Sequence, residues 1–490
     1  MPRGGIALLL LLLLGCCSLE VAAQSGDYKY AEESAFINAL NLNGEEGDDS
    51  NSIAITTFCQ QLETAARNSG IFVGGKLCAG FNAPDISAAE KYMASYAPKG
   101  LERNPIILVP GLGGSALELE LHEKDVPHWY CTKNIDYFRA WLHLDELLPG
   151  VFDCFSHNMK LQYDPGTHHY SNIPGVQSRP ADFGGLRGID YLDYMSGKPV
   201  TLTGYYATVI SNLESAGYVS GVDLYGAPYD WRVPSSALYE RNEWYAQLKE
   251  LILTARRNNQ GKKVNLVTHS MGGPTIATFL AANVTFAEEN VANFIPIAAP
   301  WMGAAKAIIA LLYGDNFGIA IGDLNLISPL KLREIIRTFG GATYMTPEQS
   351  FYGNQTFVTW EGKDYHAGEL GALLEAFGAE GAATLWQATQ HMLAELQAPS
   401  IPTTCLYGTG VPTEIAYSYA SSDKDTRPTA TDTNQGDGTV PLESLRVCQD
   451  WKNAGAAVEI EEFNERDHVG ILKDPQVIAA ILKVCTTPIV

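Results

Sequence analysis

Short apolar runs alternate with longer amphipathic segments along this chain from about residue 105 onward. Apolar runs bounded by glycine, proline or polar residues are typical of strands that are buried on both faces. They predict strands at 106–109, 221–226, 264–269, 294–298, 401–407 and 458–463. Helical periodicity between several of these runs predicts helices at 203–216, 240–257 and 275–282. The alternation predicts an α/β fold with a mostly parallel sheet and crossover helices.

The strand at 264–269 ends abruptly at Ser270, which Met271, Gly272 and Gly273 follow before the next helix. Strand, sharp turn and helix around a serine are typical of the nucleophile elbow of an α/β-hydrolase. The backbone N–H of Met271 would face the oxyanion that forms when the serine attacks a carbonyl. Thr268 occupies the position of the first glycine of the usual motif, so the match is imperfect.

A glycine-rich turn, Gly111–Gly114, follows the strand at 106–109. In α/β-hydrolases such a loop brings a second backbone donor to the oxyanion, and the N–H of Leu112 is the natural donor here. The same pattern by itself is equally consistent with a purely structural turn.

A carboxylate and a histidine follow two later strands. Asp437 lies in a tight Gly-Asp-Gly turn, and His468 follows the strand at 458–463. With Ser270 they appear in the order Ser, Asp, His that this fold uses. We expect His468 to take the proton of Ser270 and Asp437 to orient the imidazole and stabilise its cation.

Composition limits the partners and the compartment. The 490 residues are 46% hydrophobic and carry a formal net charge of −22. The length suits one large α/β domain with insertions or two domains. The acidic balance argues against binding to nucleic acid and against simple electrostatic attachment to anionic membranes. The pair His168-His169 has no further histidine or cysteine at ligand spacing, so we read it as surface and expect no metal or cofactor.

The first 23 residues read as a secretory signal peptide. An early Arg3, an apolar run at 6–14 and the small residues before Gln24 predict cleavage after Ala23. We therefore expect a secreted protein or one in the lysosomal or vacuolar lumen. Residues 24–99 form an N-terminal extension of unknown role, in which Cys59 and Cys78 are candidates to pair.

Seven cysteines remain in the mature chain, so one is left over, and Cys485 is our candidate for the free one. Asn283 and Asn354 lie in Asn-X-Thr triplets, which are acceptors for glycosylation in a eukaryotic source.

Two stretches are longer than a simple connection between strand and helix requires. The segment between Cys131 and Cys154 is rich in aromatic residues, which suits either the core or a lipid-contacting surface, and the spacing alone favours the core. Residues 304–400 suit a cap with a mobile lid, for which 313–352 is the candidate, or an ordinary helical insertion.

Several motifs occur in one order and together resemble the family of lecithin:cholesterol acyltransferase and lysosomal phospholipase A. The resemblance runs from about Asn104 to Lys483. Its motifs are Val109–Gly114, Trp129–Cys131, Trp141-Leu142, Asp153-Cys154, Gly226–Arg232, His269–Gly272, Gly314–Asn316, Pro329–Leu332, Gly436–Val440 and Asp467-His468.

The resemblance implies an α/β-hydrolase domain over residues 100–490 with a membrane-binding segment at about 122–180 and a cap or lid at 304–400. It also implies disulfides Cys131–Cys154 and Cys405–Cys448, and it turns the aromatic segment from core into lipid-contacting surface. The implied reaction moves an acyl chain from a glycerophospholipid through an acyl-serine to water or an alcohol such as a sterol, at a membrane or lipoprotein surface.

Two alternatives stay open from the sequence. One is a neutral-lipid esterase or galactolipase with the same fold. The other is a catalytically silent lipid-binding protein, against which the presence of Ser270, Asp437 and His468 argues.

Overall fold

The computed structural model describes residues 101–488 except for 124, 148–149, 196, 316–319, 322–323 and 326–327. The predicted signal peptide, the N-terminal extension and the candidate Cys59–Cys78 disulfide lie outside the described residues.

A six-stranded parallel sheet forms the centre of the fold. Its strands in chain order are β1 (Ile106–Val109), β2 (Leu224–Gly226), β3 (Val264–His269), β4 (Val291–Ile297), β5 (Thr403–Thr409) and β6 (Val458–Asn464). Their spatial order is β2-β1-β3-β4-β5-β6, and every neighbouring pair is parallel. All six predicted strands and the predicted parallel sheet are confirmed, although β2 is shorter than its prediction.

Helices cover both faces of this sheet, which explains the continuous apolar runs. Ile106 and Leu108 pack on one face with helices α1 (Ala207–Ser215) and α4 (Pro475–Cys485). Ile107 and Val109 point to the other face, where α2 (Trp244–Asn258) and α3 (Gly272–Ala282) contribute buried residues. Because successive side chains of a strand point to opposite faces, a sheet that is buried on both faces needs no polar alternation.

Further strands form smaller sheets around the central one. A three-stranded antiparallel sheet holds Leu117–His122 between Asn134–Trp141 and Val176–Pro180. A four-stranded mixed sheet has the order Lys363–His366, Thr356–Trp360, Thr413–Ser418, Thr429–Asn434. Two-stranded pairs join Leu101–Arg103 with Thr486–Pro488, Leu161–Asp164 with His169–Asn172, Tyr194–Met195 with Lys198–Pro199, and Ala320–Ile321 with Leu324–Asn325.

The other described α-helices are Phe152–Met159, Val284–Asn290, Ala305–Leu312, Pro329–Ile336, Gly340–Tyr344, Gln349–Tyr352, Leu370–Ala376, Glu380–Thr389, Leu442–Leu445 and Val447–Asn453. Short 3₁₀ turns occur at Leu144–Leu147, Thr201–Thr203, Ser235–Tyr239, Arg241–Glu243, Ala367–Glu369 and Gly470–Lys473. Within the described ranges, no helix combines the length and the apolarity needed to cross a membrane.

The insertion at 304–400 contains strands as well as helices. Its strands Thr356–Trp360 and Lys363–His366 belong to the mixed sheet, which the sequence did not predict. In the lid candidate, residues from Pro329 onward pack into the core, where Leu332, Ile336 and Phe339 are each at most 2% exposed. The remainder of that candidate, 313–328, falls partly outside the described residues.

The aromatic segment between Cys131 and Cys154 lies partly in the core, and two exposed aromatic residues directly precede it. Trp141 and Leu142 are buried, as the spacing alone predicted, whereas Trp129 is 92% exposed and Tyr130 46% exposed. A disulfide joins Cys131 to Cys154 across 5.5 Å between Cα atoms. A second one joins Cys405 on β5 to Cys448, and Cys485 is buried and unpaired.

Candidate active site

The turn after β3 places Ser270 at the carboxyl end of the central sheet. Ser270 has a φ of +53°, a left-handed conformation that is rare for a residue with a side chain. Its N–H donates to the carbonyl of Ile297 on β4 over 2.9 Å. A Cβ on Gly272 would lie 2.5 Å from the carbonyl oxygen of Pro110, so only glycine fits between the elbow and the loop that follows β1. Thr268 is nevertheless accommodated, fully buried, before the turn.

Ser270, Asp437 and His468 meet at this turn although they come from distant parts of the chain. The Oγ of Ser270 lies 2.9 Å from Nε2 of His468. The Nδ1 of His468 lies 2.7 Å from Oδ2 of Asp437, and the backbone N–H of His468 donates to the carbonyl of Asp437. This geometry allows Ser270 to lose its proton to a histidine that a carboxylate orients.

Asp437 is fixed by its own turn. Its Oδ1 accepts the backbone N–H groups of Thr439 and Val440 over 3.0 and 2.7 Å, which leaves Oδ2 for His468. Asp437 is fully buried and His468 is 8% exposed. Because both carboxylate oxygens are occupied, the imidazole has one defined acceptor in a buried site.

The loop Gly111–Gly114 lies directly against Ser270. A Cβ on Gly111 would be 2.7 Å from Cβ of Ser270, so a side chain at this position would collide with Ser270. In the described part of the chain, the N–H groups of Leu112 and Met271 donate to no acceptor. Such amides are available to an oxyanion formed on the substrate.

Two buried tryptophans, of which one belongs to the aromatic segment, donate hydrogen bonds to the backbone of the loop and of the residue after it. The indole N–H of Trp141 donates to the carbonyl of Gly113 over 2.7 Å. That of Trp231 donates to the carbonyl of Ser115 over 3.0 Å. Two buried tryptophans therefore fix the backbone of the loop, so its amides are positioned before a substrate arrives.

Comparison with known proteins agrees with this site. The family model described as lecithin:cholesterol acyltransferase matches residues 137–369 and 382–475, which are more than half of the chain and contain Ser270, Asp437 and His468. The chain belongs to the lecithin:cholesterol acyltransferase family.

Relatives of known name match over most of their length. The phosphatidylcholine-sterol acyltransferase of Gallus gallus is 32% identical over 380 residues, which cover 77% of this chain and 89% of the relative. The lysosomal phospholipase A and acyltransferase of Rattus norvegicus is 32% identical over 397 residues, which cover 80% of this chain and 92% of the relative. The phosphatidylcholine-sterol acyltransferase of Homo sapiens is 33% identical over 351 residues, which cover 71% and 77%.

The central parallel sheet with the elbow after β3 gives this member of the lecithin:cholesterol acyltransferase family an α/β-hydrolase fold. Among the residues described, no group of three or more His, Cys, Asp or Glu side chains is placed to hold a metal ion. His168 and His169 bond instead to Tyr163 and Glu240 at the surface.

Two residues next to the site were missed by the sequence reasoning. His269 precedes Ser270 and is 1% exposed, and its ring bonds to Tyr205, which comes from the segment before α1. Burial, reinforced by His468, lowers the pKa of His269 to about 3, so the ring is neutral. An ionisable ring at the end of a fully buried strand, directly before Ser270, was the signal that could have marked His269.

Proposed function

We propose that this protein is a serine-dependent phospholipase A and O-acyltransferase. The observation that carries the proposal is the contact of Ser270 Oγ with His468 Nε2 beside two unpaired amides, in a member of this family. The relatives are named as acyltransferases and phospholipases, and the site has the parts that acyl transfer through serine requires.

In the first half-reaction, Ser270 Oγ attacks the ester carbonyl of a glycerophospholipid while its proton passes to Nε2 of His468. The amides of Leu112 and Met271 bind the resulting oxyanion, and Asp437 stabilises the imidazolium. When the tetrahedral intermediate collapses, His468 returns the proton to the leaving alkoxide. A lysophospholipid departs and the acyl chain remains on Ser270.

In the second half-reaction, His468 takes a proton from an acceptor hydroxyl, which attacks the acyl-serine through a second oxyanion. Collapse releases the acyl product, and His468 returns the proton to Ser270. With water as acceptor the product is a fatty acid, and with a sterol or another alcohol it is an ester.

The exposed tip around Trp129 is the proposed contact with a phospholipid membrane or lipoprotein surface. Trp129 and Tyr130 protrude beside the Cys131–Cys154 disulfide, and Tyr130 stacks on His128 at 4.9 Å between ring centroids. Aromatic rings of this kind suit the interface between water and lipid. We further propose that the protein acts outside the cell or in the lysosomal or vacuolar lumen, which two disulfides favour.

The test is product analysis by mass spectrometry. Wild type and Ser270→Ala are incubated with phosphatidylcholine liposomes that contain a sterol and a long-chain alcohol, at acidic and at neutral pH. We expect lysophospholipid with matching fatty acid or acyl ester from wild type and none from Ser270→Ala. The acyl product identifies the acceptor.

Absence of turnover by wild type at both pH values, or equal turnover by Ser270→Ala, would contradict the proposal. Parallel incubations with triacylglycerol and galactolipid then decide for the neutral-lipid esterase or the galactolipase. If a fluorophosphonate also fails to label Ser270, the silent lipid-binding protein remains.

A further inference from the structure

A chain of hydrogen bonds behind the site connects three of its segments. The N–H of Gly111 donates to the hydroxyl of Tyr205 over 2.9 Å. The same hydroxyl lies 2.5 Å from Nδ1 of His269. The Nε2 of His269 lies 2.7 Å from the carbonyl oxygen of His468. The chain thus runs from the glycine loop, through the residue before the nucleophile, to the backbone of the proposed base.

The direction of each hydrogen bond follows from the chemistry of its ends. A carbonyl oxygen only accepts, so Nε2 of His269 carries the proton and Nδ1 is the acceptor. The hydroxyl of Tyr205 therefore donates to Nδ1 and accepts from Gly111. Because burial lowers the pKa of His269 to about 3, this arrangement persists at the pH of an acidic compartment.

The ring of Tyr205 also shapes the loop. A Cβ on Gly114 would lie 2.5 Å from Cζ of Tyr205, and one on Gly111 would lie 3.1 Å from its hydroxyl oxygen. Two glycines of the loop are therefore needed because the loop rests on this ring. Leu112, whose amide is the proposed oxyanion donor, lies between them.

We propose that Tyr205 and His269 are positioning residues for acyl transfer. They hold the amide of Leu112 at a fixed place relative to Ser270 and His468 and do not themselves touch the substrate. The proposal rests on the proposed function, because it assumes that the loop binds an oxyanion. Loss of the network lets the loop shift, which weakens a donor needed in the transition state more than it weakens binding of the ester.

The decisive variant is Tyr205→Phe, and Tyr206→Phe is its matched control. Tyr206 is the next residue, is fully buried, and donates one hydrogen bond to the carbonyl of Val109, outside the network. With a monomeric p-nitrophenyl ester, we expect Tyr205→Phe to lower kcat by about 10- to 100-fold and change KM by less than about threefold. Tyr206→Phe should keep kcat within about threefold of wild type.

A second pair of variants tests His269. Glutamine offers an amide oxygen to Tyr205 and an amide N–H to the carbonyl of His468, and leucine offers neither. We expect His269→Gln to keep kcat within about fivefold of wild type. His269→Leu should lower kcat by as much as Tyr205→Phe does. The affinity for an alkyl boronic acid, which forms a tetrahedral adduct on Ser270, should fall in parallel with kcat.

Each kcat is expressed per active site titrated with a fluorophosphonate, so that partial misfolding does not count as slow chemistry. A kcat of Tyr205→Phe equal to that of Tyr206→Phe overturns the proposal, as does a His269→Gln as slow as His269→Leu. If wild type hydrolyses the monomeric ester but does not turn over phosphatidylcholine, the proposed function is contradicted instead. The two failures are therefore distinguishable.

Discussion

At the scale of single residues, Asp437 determines which nitrogen of His468 carries the proton. In Asp437→Asn, the amide oxygen would keep the bonds to the N–H groups of Thr439 and Val440, so the amide NH₂ would face Nδ1. Nδ1 would then have to accept and Nε2 would be protonated, unable to take the proton of Ser270. We expect kcat to fall by about 10³- to 10⁴-fold with little change in stability.

Steady-state kinetics on a monomeric ester measure this effect, and Asp467→Asn is the control. Asp467 caps the N–H groups of Val469 and Gly470 beside His468 without bonding its ring. Its variant should stay within about tenfold of wild type. A comparable loss in both variants would show that the local turn, rather than the tautomer, accounts for the effect.

His269 gives the fold a defined dependence on pH. The unfolded chain protonates this histidine near pH 6.5, whereas the folded state, with a pKa of about 3, keeps it neutral. Stability therefore falls as pH decreases from 6.5 toward 3, by about 2–3 kcal/mol at pH 4.5 from this residue. His269→Gln should lose less stability between neutral and acidic pH, as measured by urea unfolding at both. Exchange of the exposed His168 for glutamine should leave the dependence as in wild type.

The sequence was sufficient to select three residues that the fold brings together after β3. Ser270 lies in an elbow, Asp437 in a glycine turn, and His468 after a strand, so each could be recognised from its neighbours. Tyr205 and His269 could not be paired in this way, because 64 positions separate them and only the packing of the segment before α1 against β3 brings them together.

At the scale of elements, the elbow depends on the missing side chain of Gly272. An alanine Cβ there would lie 2.5 Å from the carbonyl oxygen of Pro110 and 2.9 Å from that of Val109, both of them backbone atoms. Gly272→Ala should lower the free energy of unfolding by about 1–3 kcal/mol and slow labelling of Ser270 by a fluorophosphonate. Denaturant unfolding and labelling rates measure the two effects.

Gly381→Ala is the matched control, because Gly381 lies in helix Glu380–Thr389 with open space where its Cβ would be. We expect it to leave the labelling rate unchanged and to raise stability by up to about 1 kcal/mol. Equal behaviour of the two alanine variants would contradict the steric interpretation of the elbow.

The tip that carries Trp129 should act at the lipid surface. Trp129→Ser removes a side chain that is 92% exposed, so we expect weaker sedimentation with phosphatidylcholine vesicles and slower vesicle turnover. Hydrolysis of a monomeric ester should decrease far less. Val219→Ser, at an exposed apolar position outside the tip, provides the control, and equal vesicle binding by both variants would exclude the tip as the contact.

Elements were predictable where burial leaves a pattern. The central strands have apolar side chains on both faces, and the sequence predicted them. The strand Thr429–Asn434 was not predicted, because it has no buried side chain and therefore no hydrophobic periodicity. The start of α2 was predicted too early because Asn242 and Glu243 have left-handed backbone angles, which the sequence does not reveal.

At the scale of the whole molecule, a buried charge network joins the segment at about 122–180 to the loop that follows β2. Asp230 bonds to Arg232 and Arg241, and Arg232 also donates to the carbonyl of Met159 and to Ser178. Burial alone would raise the pKa of Asp230, but the two arginines lower it below its usual value. The carboxylate therefore stays ionised, and the network intact, at the pH of an acidic compartment.

Removal of the charge of Asp230 should be costly because two arginines would remain buried without their partner. We expect Asp230→Asn to lower the free energy of unfolding by about 3–5 kcal/mol. Lys452→Ala, which breaks the exposed pair with Glu459, should cost less than about 1 kcal/mol. Urea unfolding at neutral pH measures both, and similar losses in the two variants would contradict a structural role for the network.

The pairing of Leu101–Arg103 with Thr486–Pro488 has a consequence for synthesis on the ribosome. The first strand of the described domain is translated before Ser270, whereas its partner is translated after Ser270, Asp437 and His468. Ser270 emerges well before Asp437 and His468, so a nascent chain carries a serine that has no base beside it. The proposed lipid chemistry therefore requires that the chain has been translated beyond His468 and has folded.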